Sequence, residues 1–295
     1  MRLFNSTFAL ALVATSALTV TQAAAFDQSV QTTDAANYET DIVPAQNDYL
    51  RSSEGGGILA YNGPDQSLVS KTVCGAFVAR VYKNAYAELS QPVMQGLFGG
   101  PNDDPNQGLP DASHWYQAIE GNGNADWTYS TATQTFSMGK AAVYLDATNT
   151  PRLRLVSSNL EMPFLGAIIA AKYTGTGGDT GHAMLADTAR VVTNPPNAPS
   201  GTVVTVQVRI WDSTKTVHSA PAGAPEGDLD TRIGDDENGA FDKGAGAGSI
   251  RLFLGSASGT GNRSIVGWSW SVTDNGDVYT NAAGSRPITV GFLRF

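Results

Sequence analysis

The chain has 295 residues, with 18 lysines and arginines against 27 aspartates and glutamates, which gives a formal net charge of -9. This length suits one large domain or two small ones. The acidic balance argues against nucleic acid or an anionic membrane surface as the main partner, because both repel a negative chain.

The first 25 residues have the layout of a secretory signal peptide. Arg2 precedes an apolar run from Phe8 to Val20, and the small-residue stretch Ala23–Ala25 follows it. Cleavage is expected near Ala25, which predicts a secreted or periplasmic protein. The apolar run is shorter than the roughly 18 to 20 residues that cross a bilayer, and no later stretch reaches that length, so no membrane span is expected.

After the signal, the composition predicts a flexible leader over residues 26–47 and a single domain over residues 48–295. The leader is polar and shows no hydrophobic period. Within the domain, loops rich in Gly, Asn and Asp are expected around residues 96–130, where they enclose a short helix with the sequence DASHWYQAIE. Loops of this size often carry a binding face.

The stretch VCGAFVARVYKNAY gives the clearest helix signal in the chain. Phe77, Val81 and Ala85 recur at a spacing of four residues, which places them on one face of a helix. We therefore expect a helix that begins near Cys74 and continues toward Leu89.

The second half of the chain is predicted to form strands. Runs such as AAVYLD, RLRLVS, TVVTVQVRIW and SIRLFLG are rich in β-branched and aromatic residues, and Gly, Asn, Pro and Ser separate them. A helix early in the chain and strands later, without alternation, predicts an α+β domain with an antiparallel sheet.

Cys74 is the only cysteine, so it can form no disulfide within the chain. It is a buried apolar residue, an intermolecular bridge or a reactive thiol. Its place at the predicted helix start favours the reactive thiol, because the N–H groups and the positive end of the helix dipole stabilise a thiolate there.

A nucleophilic thiol needs a base, and the chain has three histidines, His114, His182 and His218. His182 begins the predicted strand HAMLADTARVV, and the next predicted strand runs up to Asp212. If the two strands pair antiparallel, the start of one lies beside the end of the other. His182 and Asp212 are then neighbours, and the carboxylate can fix the tautomer of the imidazole.

The segments VCGAFVARVYKNAY and AIIAAKYTGTGGDTGHAMLAD resemble the nucleophile helix and the histidine strand of the NlpC-type cell-wall cysteine peptidases. Cys74 matches the family's nucleophile at a helix start, and His182 matches its Gly-His-hydrophobic pattern, whereas Asp212 is matched by position only. The resemblance covers roughly residues 48–219. It implies an α+β fold with a papain-like core, in which the nucleophile-bearing helix packs on an antiparallel β-sheet.

The same resemblance implies an exported cysteine hydrolase that cleaves amide bonds in peptidoglycan stem peptides and needs no cofactor. Cys74 would attack the carbonyl carbon, His182 would shuttle the proton and Asp212 would orient the imidazole. The Cys74 N–H is expected to be one oxyanion donor. Tyr61 is the candidate for the second donor, because family members often place a tyrosine ahead of the nucleophile.

Other charged residues give weaker signals. Arg232 is a candidate to bind a substrate carboxylate through its bidentate fork, and His218 is the rival base, although both residue types are commonly found on the surface. The acidic run from Asp235 to Glu237 lacks the spaced oxygen ligands of a calcium loop. No paired Cys or His spacing suits zinc, so no metal is expected.

Two other functional classes stay open. A transglutaminase-like enzyme uses the same order of Cys, His and Asp. A non-catalytic module for envelope binding or adhesion is the second, since the aromatic residues Trp268, Trp270 and Tyr279 can either hold sugars or fill a core.

Overall fold

The computed structural model describes residues 33, 35, 42–49, 58–61, 68–86, 109–121, 127–130, 135–174, 180–218, 229–232, 243–273, 276–281 and 286–294. Its two helices are Cys74–Ala85 (α1) and Ala112–Glu120 (α2). The described strands are Ile42–Asp48 (β1), Ile58–Tyr61 (β2), Leu68–Lys71 (β3), Trp127–Ser130 (β4), Thr135–Leu145 (β5), Pro151–Leu155 (β6), Glu161–Met162 (β7), Ile168–Lys172 (β8), Gly181–Val192 (β9), Val204–Thr214 (β10), Gly244–Ala257 (β11), Arg263–Ser269 (β12), Val278–Thr280 (β13) and Ile288–Arg294 (β14).

Seven of these strands close into an antiparallel barrel. The hydrogen-bonded order is β5, β14, β8, β9, β10, β11 and β12, and β12 returns to β5 with Arg263 opposite Val143. Strands β4, β6 and β13 pair with barrel strands, β7 pairs with β6, and all four extend the sheet. Strands β1, β3 and β2 form a separate three-stranded sheet.

The closed barrel overturns the expectation of an α+β fold with a papain-like core. The described chain is mostly β-strand, and the two helices lie against the barrel. The sequence located the strands of the second half correctly. It did not indicate closure, because closure depends on the pairing of β12 with β5, two strands that lie far apart in the chain and leave no local signature of their contact.

Two hydrophobic clusters lie on the two faces of the barrel strands. The outer cluster joins α1 and α2 to side chains such as Leu185 and Trp211. The inner cluster fills the barrel with side chains that alternate with those, such as Met184, Val208 and Ile250. Alternation of this kind is the period of a strand whose two faces are both covered.

The predicted helices are present. Helix α1 begins at Cys74 and ends at Ala85, and α2 spans the segment DASHWYQAIE after its capping residue Asp111. Six residues assigned to the leader, 42–47, belong to β1. The proposed signal peptide, residues 1–25, lies outside the described residues. Among the helices that the structure describes, none has the length and apolar character needed to cross a membrane.

Candidate active site

Cys74 is the first residue of α1 and is only 5 % exposed. The residue before it, Val73, makes no side-chain cap, so no capping side chain occupies the N–H groups of the first turn. The Cys74 Sγ atom lies 3.8 Å from the carbonyl oxygen of Gly181, at the start of β9. The thiol therefore sits at a helix N-terminus and faces the beginning of a barrel strand.

Contacts on both sides fix the start of α1. On one side, a Cβ atom on Gly75 would lie 2.7 Å from the Pro110 carbonyl oxygen, so only glycine permits this approach of the segment that leads into α2. Trp115 Nε1 also donates to the Gly75 carbonyl oxygen at 3.1 Å. On the other side, Ser213 Oγ on β10 donates to the Thr72 carbonyl oxygen at 2.7 Å. These contacts connect the start of α1, and with it Cys74, to the strand that carries Asp212.

Gly181 sets the position of His182. Its φ of 149° lies in the region that favours glycine, and a Cβ atom there would collide with the carbonyl oxygen of Ala171 on β8. Because no other residue fits, the backbone of β9 can approach β8 closely just before His182. This close approach fixes the position of His182, the second residue of β9, at the rim of the barrel.

His182 Nε2 and Asp212 Oδ2 lie 2.5 Å apart, and both side chains are buried. Strands β9 and β10 pair antiparallel, with Trp211 opposite Leu185. This register puts positions 182 and 212 on the same face as diagonal neighbours, which long side chains can bridge. The predicted strand pairing is therefore present, and it brings the two side chains into contact.

The charged form of His182 is favoured by its surroundings. Burial by itself lowers the pKa of His182, but the charge of a Cys74 thiolate and hydrogen bonds with Asp212 and Cys74 outweigh burial and raise this pKa to about 9. Because Nε2 is engaged by Asp212, Nδ1 is the nitrogen left for the thiol. The site can thus hold a thiolate and an imidazolium side by side.

Behind His182, Asp212 is held by a second ion pair. The carboxylate is fully buried, and Arg232 Nη1 donates to its Oδ1 atom at 2.6 Å. The same guanidinium makes a bidentate pair with Asp230, with Nε to Oδ1 and Nη2 to Oδ2 both at 2.9 Å. Asp230 did not emerge from the sequence, although the spacing Asp-x-Arg in LDTR was a local signal for such a pair.

His218 contacts the same carboxylate from another side. Its Nε2 lies 3.0 Å from Asp212 Oδ2, and its Nδ1 lies 2.8 Å from the carbonyl oxygen of Trp270. Both neighbours are hydrogen-bond acceptors, so both ring nitrogens are placed to donate. The His218 backbone N–H also donates to Asp230 Oδ2 at 2.7 Å.

Small residues on β11 make room for these groups. A Cβ atom on Gly246 would lie 2.8 Å from Arg232 Cγ, and one on Gly248 would lie 2.6 Å from His218 Cδ2. The alternation in GAGAG, residues 244–248, is the sequence signal for this space, because glycine at every second position leaves one face of the strand without side chains. The sequence showed the pattern, but not what would fill the space.

The surroundings of Asp212 keep it ionised. Burial raises the pKa of a carboxyl group, but the charges of Arg232 and His218 and the hydrogen bonds from His182 and His218 hold the pKa of Asp212 well below its usual range. Asp212 is therefore held as a carboxylate between Arg232, His182 and His218.

A groove of about 540 Å³ opens beside His182. Gly181 and His182 form part of its lining, together with four aromatic side chains, Tyr49, Tyr173, Trp270 and Tyr279. Trp270 lies edge-on to the His182 ring, with the ring centroids 4.5 Å apart. The basic side chain of the candidate active site is therefore accessible from this groove.

The structure brings Cys74, His182 and Asp212 together, places His218 and Arg232 against the Asp212 carboxylate, and gives the remaining candidates other surroundings. Arg232 is 2 % exposed and lies behind Asp212, so its guanidinium binds protein carboxylates. His114 is part of the capping box of α2. Tyr61 is the last residue of β2 and pairs with Leu68, but the structure does not describe its side chain. The acidic run 235–237 also lies outside the described residues.

Two further candidates concern sugars and metals. Trp268 is fully buried in the inner cluster, so it is a core residue and no exposed sugar platform. Within the ranges that the structure describes, no group of three or more His, Cys, Asp and Glu side chains could hold a metal ion.

No family model matches the chain, and neither a curated protein nor a solved structure matches it significantly.

Proposed function

We propose that the chain is a cysteine hydrolase that cleaves amide bonds. The observation that carries this proposal is the continuous contact from Cys74 through His182 to Asp212, with His182 in the lining of a groove. A buried cysteine that only fills space needs neither a base nor a carboxylate behind that base. Each of the three side chains has an ordinary structural explanation alone, but their meeting in this order matches the requirements of nucleophilic catalysis.

In the first half of the reaction, the Cys74 thiolate attacks the carbonyl carbon of the scissile amide. The carbonyl oxygen becomes an oxyanion, and the Cys74 N–H at the start of α1 is oriented by the helix as a donor for it. When the C–N bond breaks, the imidazolium of His182 gives its proton to the departing nitrogen. The products of this half are a free amine and a thioester on Cys74, with His182 neutral.

In the second half, neutral His182 takes a proton from water as the water oxygen attacks the thioester carbonyl. The C–S bond breaks, the acyl group leaves as a carboxylic acid, and Cys74 returns as a thiolate beside protonated His182. Asp212 is a positioning residue in both halves, because it holds the ring through Nε2 and stabilises its charge. Arg232 and His218 keep that carboxylate in place.

The proposed substrate is the stem peptide of peptidoglycan, and the proposed location is the periplasm or the exterior. Support comes from the resemblance of VCGAFVARVYKNAY and the His182 segment to NlpC-type peptidases and from the signal-like first 25 residues. The barrel is a different scaffold from the one that the resemblance implies, so the family relationship is a proposal that rests on these short motifs.

Digestion of purified peptidoglycan tests the proposal. Wild-type protein, Cys74→Ala, His182→Gln and Asp212→Asn are incubated with peptidoglycan, and fragment masses and new amino groups are measured. Arg152→Gln, which changes an exposed arginine paired with Asp146, is the matched control. We expect Cys74-dependent fragments with the wild type and the control, none with Cys74→Ala, and strongly reduced yield with His182→Gln.

Two results would redirect the proposal. Equal fragment yield from the wild type and Cys74→Ala would show that the cysteine is not the nucleophile. Fragments that appear only as adducts with an added amine, such as glycine ethyl ester, would assign the thioester to transfer chemistry, as in a transglutaminase-like enzyme, in place of hydrolysis.

A further inference from the structure

The groove beside His182 is lined by two cations, Lys215 and Arg286, and by one carboxylate, Asp277, in addition to His182 itself. The chain as a whole is acidic, with a net charge of -9. An excess of positive charge in the groove of an acidic protein is therefore a local feature. Such a groove attracts an anionic group, because a concave site focuses the field of its own charges.

Arg286 is the more constrained of the two cations. Its Cζ atom lies 4.4 Å from the ring centroid of Tyr173 and 4.3 Å from that of Tyr279. Two aromatic rings hold the guanidinium in place, so little side-chain entropy is lost when it binds a ligand. A cation–π contact of this kind does not occupy the N–H groups of the guanidinium in conventional hydrogen bonds.

No described carboxylate forms an ion pair with Arg286. Asp277, the carboxylate in the groove lining, instead hydrogen-bonds with Tyr279 and, together with burial, raises the pKa of that tyrosine. Arg286 thus differs from Arg232, whose N–H groups are taken by Asp230 and Asp212.

Aromatic contacts connect Arg286 to the catalytic histidine. Tyr279, which lies on the guanidinium, packs 5.0 Å from Trp268, and Trp268 packs 6.1 Å from Trp270. Trp270 in turn lies against His182. Trp270 and Tyr279 line the groove, and both pack against the buried Trp268, so an aromatic cluster lies beneath the groove between the guanidinium and His182.

We propose that Arg286 binds a carboxylate of the substrate, so that the hydrolase acts on acidic peptides that lie in this groove across Tyr279 and Trp270. The inference rests on the proposed function. A guanidinium edge and a carboxylate match as a planar fork, and this match gives orientation as well as affinity. The groove volume falls within the range of roughly 300 to 1,000 Å³ that is common for sites of small ligands. Lys215 adds positive charge, while Arg286 alone supplies the fork.

Binding of a matched peptide pair tests the proposal. The probes are two synthetic peptidoglycan stem tripeptides that differ at a single position, where one carries a carboxylate and the other a carboxamide. Affinities are measured by calorimetry with Cys74→Ala, which cannot turn the peptides over. We expect the carboxylate peptide to bind at least about tenfold more tightly, because a hydrogen bond to a charged group is worth more than one to a neutral group.

Variants locate the effect. Arg286→Gln in the Cys74→Ala background should abolish the discrimination, whereas Arg152→Gln should keep it. Since Arg286 also packs on two rings, melting temperatures are measured, and Arg286→Lys replaces Arg286→Gln if the latter does not fold. Arg286→Lys keeps the charge but lacks the fork, so we expect discrimination to fall by several-fold.

Failure of this inference is distinguishable from failure of the proposed function. Equal binding of the two peptides, no binding of either at millimolar concentration, or discrimination that survives in Arg286→Gln overturns the carboxylate site. If the wild type then still cleaves peptidoglycan through Cys74, the hydrolase proposal stands alone. Carboxylate-selective binding without cleavage supports the carboxylate site and overturns the hydrolase.

Discussion

The two ends of the barrel interior differ in chemistry although the same strands line both. Along β10, the inward residues Val206 and Val208 lie opposite Leu252 and Ile250 of β11. These four fully buried apolar side chains are here called the apolar end. Further along the strand, the inward residue is Asp212. The charged end consists of His182, Asp212, His218, Asp230 and Arg232.

Each carboxylate of the charged end has buried partners. Asp212 contacts Arg232, His182 and His218, and Asp230 forms a bidentate pair with Arg232. Buried ions are tolerated only when they are paired and hydrogen-bonded.

The two ends therefore contribute differently to the free energy of folding. The apolar end stabilises the barrel by removing apolar surface from water. The charged end costs desolvation energy that apolar side chains of the same volume would not. The proposed hydrolase chemistry would account for a network of this cost beside a groove.

The largest expected effect is on catalysis at the charged end. Cys74→Ala should reduce peptidoglycan hydrolysis by about 10³-fold or more, because it removes the atom that forms the bond. The melting temperature should change little, since the thiol is small and lies at the end of a helix. Residual hydrolysis within tenfold of the wild type would contradict the assignment of the nucleophile.

The second-largest effect is expected on the free energy of unfolding, when the buried charged network loses one partner. Arg232→Met leaves Asp212 and Asp230 without their shared cation, so the free energy of unfolding should fall by about 3 to 5 kcal/mol. Urea denaturation measures this change. The matched change at the apolar end, Leu252→Ala, should destabilise by about 2 to 5 kcal/mol.

Hydrolysis rates then separate these two variants. Per folded molecule, Leu252→Ala should hydrolyse at the wild-type rate, whereas Arg232→Met should be slower because Asp212 is no longer held in place. Equal hydrolysis rates in the two variants would mean that the charged end, like the apolar end, serves only stability.

The pH dependence of the reaction should report His182. Its imidazolium must protonate the leaving nitrogen, so kcat/KM should fall as pH rises through about 9, the pKa of His182 in the folded protein. The fall should approach tenfold per pH unit above that value. In Cys74→Ala, which lacks the thiolate charge, an NMR titration should give a lower pKa for His182. An unchanged pKa in that variant would mean that the two side chains do not interact.

The smallest expected effect comes from His218. Its two ring nitrogens should both be protonated at neutral pH, which ¹⁵N NMR of the imidazole detects directly. His218→Gln keeps one donor toward Asp212 but removes the charge, so turnover should fall several-fold and the pKa of His182 should shift. A neutral His218 ring, or an unaltered pH profile in the variant, would reduce His218 to a packing residue.

The sequence predicted the local features well. Helix α1 was predicted from apolar residues that recur every four positions after Cys74. The contact of His182 with Asp212 was predicted from the antiparallel pairing of two adjacent strands. Both are short-range consequences of pattern and connectivity, so a single sequence is enough to derive them.

The features that the sequence did not predict depend on long-range contacts. Barrel closure joins β12 to β5, and Arg232 reaches Asp212 only because Gly246 leaves space on a third strand. No residue pattern within one segment encodes either contact. Arg232 does bind a carboxylate, as the sequence suggested, but the carboxylate belongs to Asp212 of the protein and not to a substrate.

The rate at which Cys74 reacts with iodoacetamide in the native protein tests the central claim most directly. It needs no substrate, and it asks only whether His182 and Asp212 activate the thiol. At pH 6 we expect complete labelling of wild-type Cys74, labelling at least about tenfold slower in His182→Gln, and an intermediate rate in Asp212→Asn. Labelling that occurs only after unfolding, or at one rate in all three proteins, would contradict the claim that this cysteine is a nucleophile.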